Sequence, residues 1–244
     1  MSEKDTLYAQ GLPHADFVFD DRVVAVFPDM INRSVPGYAT IISMIGTLAA
    51  EYVQADSLCY DLGCSLGAAT LSMRRNMHQD GCRIVAVDNS ESMINGFRKI
   101  LVGEEAGVPV DIRCEDILQT DIHDASMVVM NFTLQFVAPE YRDALVEKIF
   151  QGMKPGGILV LSEKIRFEDE VLNELFIDMH HRFKEQQGYS KLEISRKRAA
   201  LEKVLIPETV GRHTKRLHEA GFDACDMWFQ CFNFASMVAV KQAG

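Results

Sequence analysis

The run YDLGCSLGAAT, residues 60–70, decides how this chain folds. It follows the apolar stretch SLC and reads as the end of a buried strand. Gly63 and Gly67 then mark a tight turn, and the small residues behind them suit the start of a helix. A strand, a glycine-rich turn and a helix form the opening unit of a doubly wound α/β sheet. In such a unit, glycine lets the backbone N–H groups of the turn approach a ligand. Ser65 stands where a second glycine is often found, so this run alone leaves the ligand open between a dinucleotide, another nucleoside, and none at all.

Outward from this run, strand-like and helix-like stretches alternate. Upstream, VPGYATIISMIGTLAAEYV places Tyr38, Ile41, Ile42, Ile45, Leu48, Ala49 and Tyr52 on one face of a helix, after an N-terminal arm that reads as irregular. Downstream strands are expected at 82–88, 110–116, 126–132 and 156–164, with helices over SMINGFRKIL and about 139–153. A helix near 208–220 should end at Gly221. ACDMWFQCFNF and SMVAVK follow too closely for a crossover helix and predict an antiparallel hairpin at a sheet edge. The expected fold is α/β: one domain, residues 1–244, with a doubly wound, mostly parallel seven-stranded sheet. Residues 1–55 should supply an arm and helix over the site, and 165–207 a helical insertion for substrate cover and dimerisation.

Bulk properties narrow the function. The formal net charge of -10 disfavours a protein that grips nucleic acid by neutralising phosphates. None of the six cysteines forms a C-x-x-C pair, so a zinc ribbon or redox motif is not expected and the thiols read as reduced. The N-terminal run MSEKDTLYAQGLPHADF lacks an apolar core and a cleavage site, and no apolar run is long enough to span a bilayer. A cytoplasmic protein without a membrane partner is expected. The seven histidines are scattered and read mostly as surface or interface residues rather than bases, with His180 and His181 falling on the insertion.

The strand ends carry the candidate site. Asp88 closes the second strand, where a carboxylate reaches both hydroxyls of a ribose. Asp116 closes the third, placed to accept from an adenine amino group, and Asn131 closes the fourth. DLGCSLG, VDNS, CEDIL and MNFTLQF together resemble the motif series of class I S-adenosylmethionine-dependent methyltransferases. There is no N-P-P-Y or D-P-P-Y after the fourth strand, and NFTLQF offers no evident catalytic base.

The insertion holds GYSKLEISRKRAALEKVL, in which Ile194, Arg198, Leu201 and Leu205 share one side of a helix. Arg196 and Lys197 read as a solvated cationic face. An arginine on an apolar side needs an anion. A structural salt bridge and a carboxylate-bearing ligand both meet that need. With FPDMINRSVPGY, YDLGCSLGAATLS, NFTLQF, GYSKLEISRKRAALE and WFQCFNF, nearly the whole chain resembles the bacterial carboxy-S-adenosyl-L-methionine synthase family.

That resemblance implies a specific chemistry. S-adenosylmethionine is a substrate, prephenate the carboxyl donor, and carboxy-S-adenosylmethionine, phenylpyruvate and water the products. A proton leaves the methyl group beside the sulfonium, and the carbanion attacks carbon dioxide released from prephenate as it aromatises. The family's partner enzyme uses the product to modify a tRNA wobble uridine, so direct tRNA binding is not expected here. The ligand contacts carried over are Tyr38, Gly63, Cys64, Ser65, Asp88, Asn89, Asp116, Ile117, Asn131 and Arg198, with Arg198 catalytic, no metal, and a homodimer. The rival readings are an ordinary small-molecule methyltransferase on the same fold, and a non-catalytic cofactor-binding or tRNA-associated protein.

Overall fold

A computed structural model of the chain describes residues 3–9, 18–105, 107–201 and 204–242; His14 lies outside them. The strands are β1 (Leu58–Leu62), β2 (Arg83–Asp88), β3 (Val110–Cys114), β4 (Ala125–Asn131), β5 (Met153–Lys164), β6 (Ala224–Cys231) and β7 (Phe234–Val240). The helices are α1 (Asp21–Ser34), α2 (Tyr38–Tyr52), α3 (Ala68–Asn76), α4 (Glu91–Val102), α5 (Pro139–Gly152), α6 (Glu170–Gln186), α7 (Lys191–Leu201) and α8 (Val210–Ala220). The strands lie in the order β3-β2-β1-β4-β5-β7-β6. β1 to β5 run parallel, and β7 is antiparallel to both of its neighbours. The expected hairpin is therefore present at one edge.

The sheet is covered on both faces, which is why its central strands read as continuous apolar runs rather than alternating ones. Along β4, Val128 and Met130 pack into one core with Tyr60, Leu62 and Leu159. Met127 and Val129 point the other way, into a second core with Ile41, Ile45 and Ile84. Fully burying a side chain of this size contributes about 1.5–3 kcal/mol, so neither face of β4 tolerates exposure. Among the described residues no helix is long and apolar enough to cross a membrane.

The N-terminal arm differs from its expected irregular course. Asp20 caps α1, its side chain accepting from the backbone N–H groups of Arg22 and Val23. Val23, Val26 and Met30 then bury one face. Pro28, which removes a helix donor, sits in the middle and masks the signal. Elsewhere the differences are small. β5 begins at Met153, and β3 ends two residues before Asp116.

A buried ionic network fixes the loop that follows β4. Arg142 on α5 is fully buried. It donates from Nε to the Val137 carbonyl at 2.8 Å, from Nη2 to the Gln135 carbonyl at 3.1 Å, and from Nη1 to Glu208 Oε2 at 2.7 Å. From the opposite side Glu163 accepts the Leu134 and Gln135 N–H groups at 2.9 and 2.8 Å. Removing one member of a buried ion pair strands its partner and costs about 3–5 kcal/mol. Arg142→Ala should lower unfolding free energy by about that amount in urea denaturation; a loss under about 1 kcal/mol would mean the network does not hold this loop.

Candidate active site

Between β1 and β4 the strand order reverses, which opens a crevice at the carboxyl ends of the strands. A cavity of about 840 Å³ occupies it. All ten residues singled out from the sequence line this one cavity.

The turn after β1 forms its floor. Gly63 and Gly67 have φ of +83° and +81°. A Cβ on Gly63 would run into the Thr133 side chain, and one on Gly67 into the Phe97 ring. Ser65 has φ of +49°, a left-handed conformation that accounts for the glycine often seen there. The N–H groups of this turn are not aimed at the cavity as expected. Gly63 and Cys64 both donate to the Val87 carbonyl, at 2.8 and 2.9 Å, because the turn closes against β2. The glycines therefore supply space rather than donors. Burial holds the Cys64 thiol well above its ordinary pKa, so it is no nucleophile.

The carboxylates stand at the strand ends. Asp88 accepts from the backbone N–H of Ser65 on Oδ2 and of Ser90 on Oδ1, both at 2.9 Å. That pins it between turn and helix, and burial raises its pKa. Asn89 follows it along the rim. Asp116 is exposed and caps its own turn through the Leu118 N–H at 2.9 Å, with Ile117 buried beside it. Asp61, on β1, accepts the Thr70 N–H and hydroxyl on Oδ2, at 2.9 and 2.6 Å. Its Oδ1 and the Oδ1 of Asn131 are buried and have no hydrogen-bond partner among the described residues, two acceptors that a donor-bearing ligand would satisfy. Tyr38 opens α2, half-buried, its ring 6.4 Å from that of Phe132.

The insertion closes the cavity from the other side, and here several sequence expectations change. Lys197, read as solvated, is the buried cation of α7: it is 4% exposed and donates to Ser34 Oγ at 2.9 Å. Arg198 is exposed at the cavity wall rather than sunk in the apolar stripe. Ile194, Lys197 and Leu201 share the inward arc, and Arg198 falls one step around the helix, at its edge. Arg196 is not solvated either; its Nη1 donates to the Tyr8 carbonyl at 2.9 Å. His180, on the insertion, is buried at the contact with the arm and bonds the Ser34 carbonyl through Nε2 at 2.8 Å. Burial pushes its pKa down to about 2, so it is neutral. The sequence reading missed Lys184, whose spacing with Ile177, His180 and His181 places all four on one helix face, toward the cavity.

The fold and the site's position define a class I S-adenosylmethionine-dependent methyltransferase domain. A methyltransferase-domain family model matches residues 60–157. A putative S-adenosyl-L-methionine-dependent methyltransferase from Methanococcus maripaludis superposes with a TM-score of 0.61 at 18% identity, covering 96% of this chain and 99% of that one. Human N-acetylserotonin methyltransferase does so at 0.61 and 17%, over 91% of this chain and 56% of its own. Relatives named carboxy-S-adenosyl-L-methionine synthase are far more similar. The one from Aliivibrio fischeri is 56% identical over 99% of this chain and 100% of its own, and the one from Cronobacter sakazakii 57% identical over 99% and 98%. The chain belongs to the carboxy-S-adenosyl-L-methionine synthase family.

Burial pushes the Asp61 carboxyl up to about 6, against about 3.9 in an unfolded chain. Across that window the native state binds more protons than the unfolded one, so stability falls as pH rises. Urea midpoints of the ligand-free protein at pH 4.5 and 6.5 should show a decline, on the order of 2 kcal/mol of it removed by Asp61→Asn. An equal decline in the variant would place the titration elsewhere.

Proposed function

We propose that the chain makes carboxy-S-adenosyl-L-methionine from S-adenosyl-L-methionine, with prephenate as the carboxyl donor. The observation that carries the reading is the match to named synthases along nearly the whole chain, arm and insertion included. The cavity supports it. Its sheet end offers Asp88 to a ribose, Asp116 to an adenine amino group, and the free oxygens of Asn131 and Asp61 to donors on the amino-acid part. Its insertion end carries Lys164, Lys184, Lys197 and Arg198, suited to carboxylates.

The step balances without a protein base. Prephenate dianion gives phenylpyruvate anion, carbon dioxide and hydroxide. The hydroxide takes a methyl proton from the sulfonium substrate and leaves as water. The methyl carbon then forms its bond to carbon dioxide. The protein's part is to hold the two substrates together, keep bulk water out, and set a cation beside the new carboxylate. Arg198 is that cation in this reading, and the arm and the insertion are the cover. The product would serve a separate enzyme that modifies a tRNA wobble uridine, and the acidic chain needs no tRNA surface of its own.

The same reading includes a homodimer. α6 turns Val171, Leu172 and Leu175 outward, 75%, 44% and 46% exposed, opposite the face that lines the cavity. Light scattering at micromolar concentration should give twice the 27.4 kDa chain mass, and a monomer mass would overturn the dimer.

Mass spectrometry of an incubation with S-adenosyl-L-methionine and prephenate should show the carboxylated sulfonium. Only S-adenosylhomocysteine would favour an ordinary methyltransferase, and no turnover a binding protein. By calorimetry Arg198→Ala should lose affinity for the carboxylated product by about tenfold or more, with S-adenosyl-L-methionine affinity little changed. Asp88→Ala should lose about tenfold for both ligands. Equal losses for both ligands in the Arg198 variant would make that arginine purely structural.

A further inference from the structure

One buried cation in the cavity has no ion-pair partner among the described residues. Lys184 on α6 is 6% exposed and lines the cavity. Among the described residues its ammonium makes no hydrogen bond and no ion pair. Its charged neighbours are otherwise engaged. Lys197 lies 3.5 Å from Asp5 Oδ2 and bonds Ser34. Asp5, the carboxylate whose field reaches Lys184, also accepts from the Tyr189 hydroxyl at 2.5 Å. Arg33 pairs with Asp29 at 2.9 Å. Around Lys184 the like charges of Lys197 and Lys164 outweigh the attraction of Asp5. Burial, reinforced by those two ammonium groups, pushes its pKa down to about 7.

A buried ammonium without an anion is costly, and a fold gains nothing by keeping one. The helix face sharpens the point. A core-facing helix places apolar residues at these spacings, yet α6 turns His180, His181 and Lys184 inward and leaves Val171, Leu172 and Leu175 outside. His181 feels the fields of Lys184, Lys164 and Arg198, so these groups share one compartment. The cavity is near the top of the roughly 300–1,000 Å³ range of small-molecule sites, as a site for two reactants should be.

We propose that Lys184 receives a carboxylate of the carboxyl-donor substrate, in a compartment at the insertion end of the cavity shared with His181 and Lys164. The inference rests on the reading above that the second substrate is an organic carboxylate, and it adds where that substrate is held. It is distinct from the assignment of Arg198, which concerns the carboxylate formed on the product.

The test is Lys184→Met, which keeps the stem and removes the charge, with Lys184→Arg alongside. Four quantities are read: the melting temperature of the ligand-free protein, S-adenosyl-L-methionine affinity by calorimetry, KM and kcat for prephenate, and the Kd of phenylpyruvate on protein saturated with S-adenosyl-L-methionine. Lys184→Met should melt at or above the wild-type temperature, since an uncompensated charge is gone. Its S-adenosyl-L-methionine affinity should stay within about twofold of wild type. KM for prephenate and Kd for phenylpyruvate should each rise by about tenfold or more, and Lys184→Arg should recover part of both. Unchanged KM and Kd would overturn the proposal. So would a Met variant that melts markedly lower or fails to fold, because the ammonium would then be held by protein groups. If wild-type protein forms no carboxylated product from prephenate, the parent reading fails, and the phenylpyruvate titration still decides the role of Lys184.

Discussion

The turn from β1 into α3 must pass close to the loop after β4 and to α4, with no side chain in the way at two points. Thr133 crowds residue 63 and the Phe97 ring crowds residue 67, and both positions are left-handed. Only glycine meets both demands without strain. The position of α3 follows, and with it the Thr70 N–H and hydroxyl that hold Asp61. The Ser65 N–H that holds Asp88 follows too. The sheet end of the cavity is therefore set by backbone geometry first, and its carboxylates are oriented as a consequence.

Charge is divided across the cavity. The strand ends contribute Asp61, Asp88 and Asp116, while α6, α7 and the end of β5 contribute Lys164, Lys184, Lys197 and Arg198. Where the cavity walls displace water, such fields act over longer distances than they would in solvent. A ligand with a cationic and an anionic part would meet opposite charges at the two ends. The net charge of -10 hides this arrangement. Net charge bears on the outer surface and on large polyanions, and says little about a few cations gathered in one cavity.

The sheet was legible because strands buried on both faces must be apolar throughout, and because glycine at 63 and aspartate at 88 have few other uses in that pattern. Asp88, Asp116 and Asn131 followed from the same logic, as strand ends in a doubly wound sheet converge, whereas Tyr38 on α2 and Arg198 on α7 were named as ligand contacts through the family resemblance. The cover was harder to read. α1 carries a good cap and a good apolar period, but Pro28 interrupts the donor series that a sequence reading relies on. On α7 the reading chose the wrong neighbour. Adjacent residues on a helix differ by about a quarter turn, so Lys197 and Arg198 both lie near the edge of an arc drawn from Ile194 and Leu201. Which one is buried depends on Asp5 and Ser34, residues more than a hundred positions away that no local pattern reports. Lys184 went unread for a related reason. Apolar residues ordinarily mark the inward face of a helix, whereas on α6 it is the polar face that turns inward.

Beyond the apolar face that α1 buries against α4, distant polar contacts tie the two parts of the cover together. Lys197 reaches Ser34 and Asp5; His180 reaches the Ser34 carbonyl; Arg33 donates to the Gln187 carbonyl at 2.8 Å and lies 3.9 Å over the Tyr189 ring. Each contact joins the arm to the insertion, and none involves the sheet. The two segments that leave the sheet are therefore clasped to each other. Such a clasp made of apolar side chains would be insensitive to what lies beneath it. One made of buried charges is different, because each added or removed anion alters the balance among Asp5, Lys197 and Lys184. A carboxylate entering beside Lys184 would offset the repulsion that Lys164 and Lys197 exert on it, and so tighten the clasp in the act of being bound.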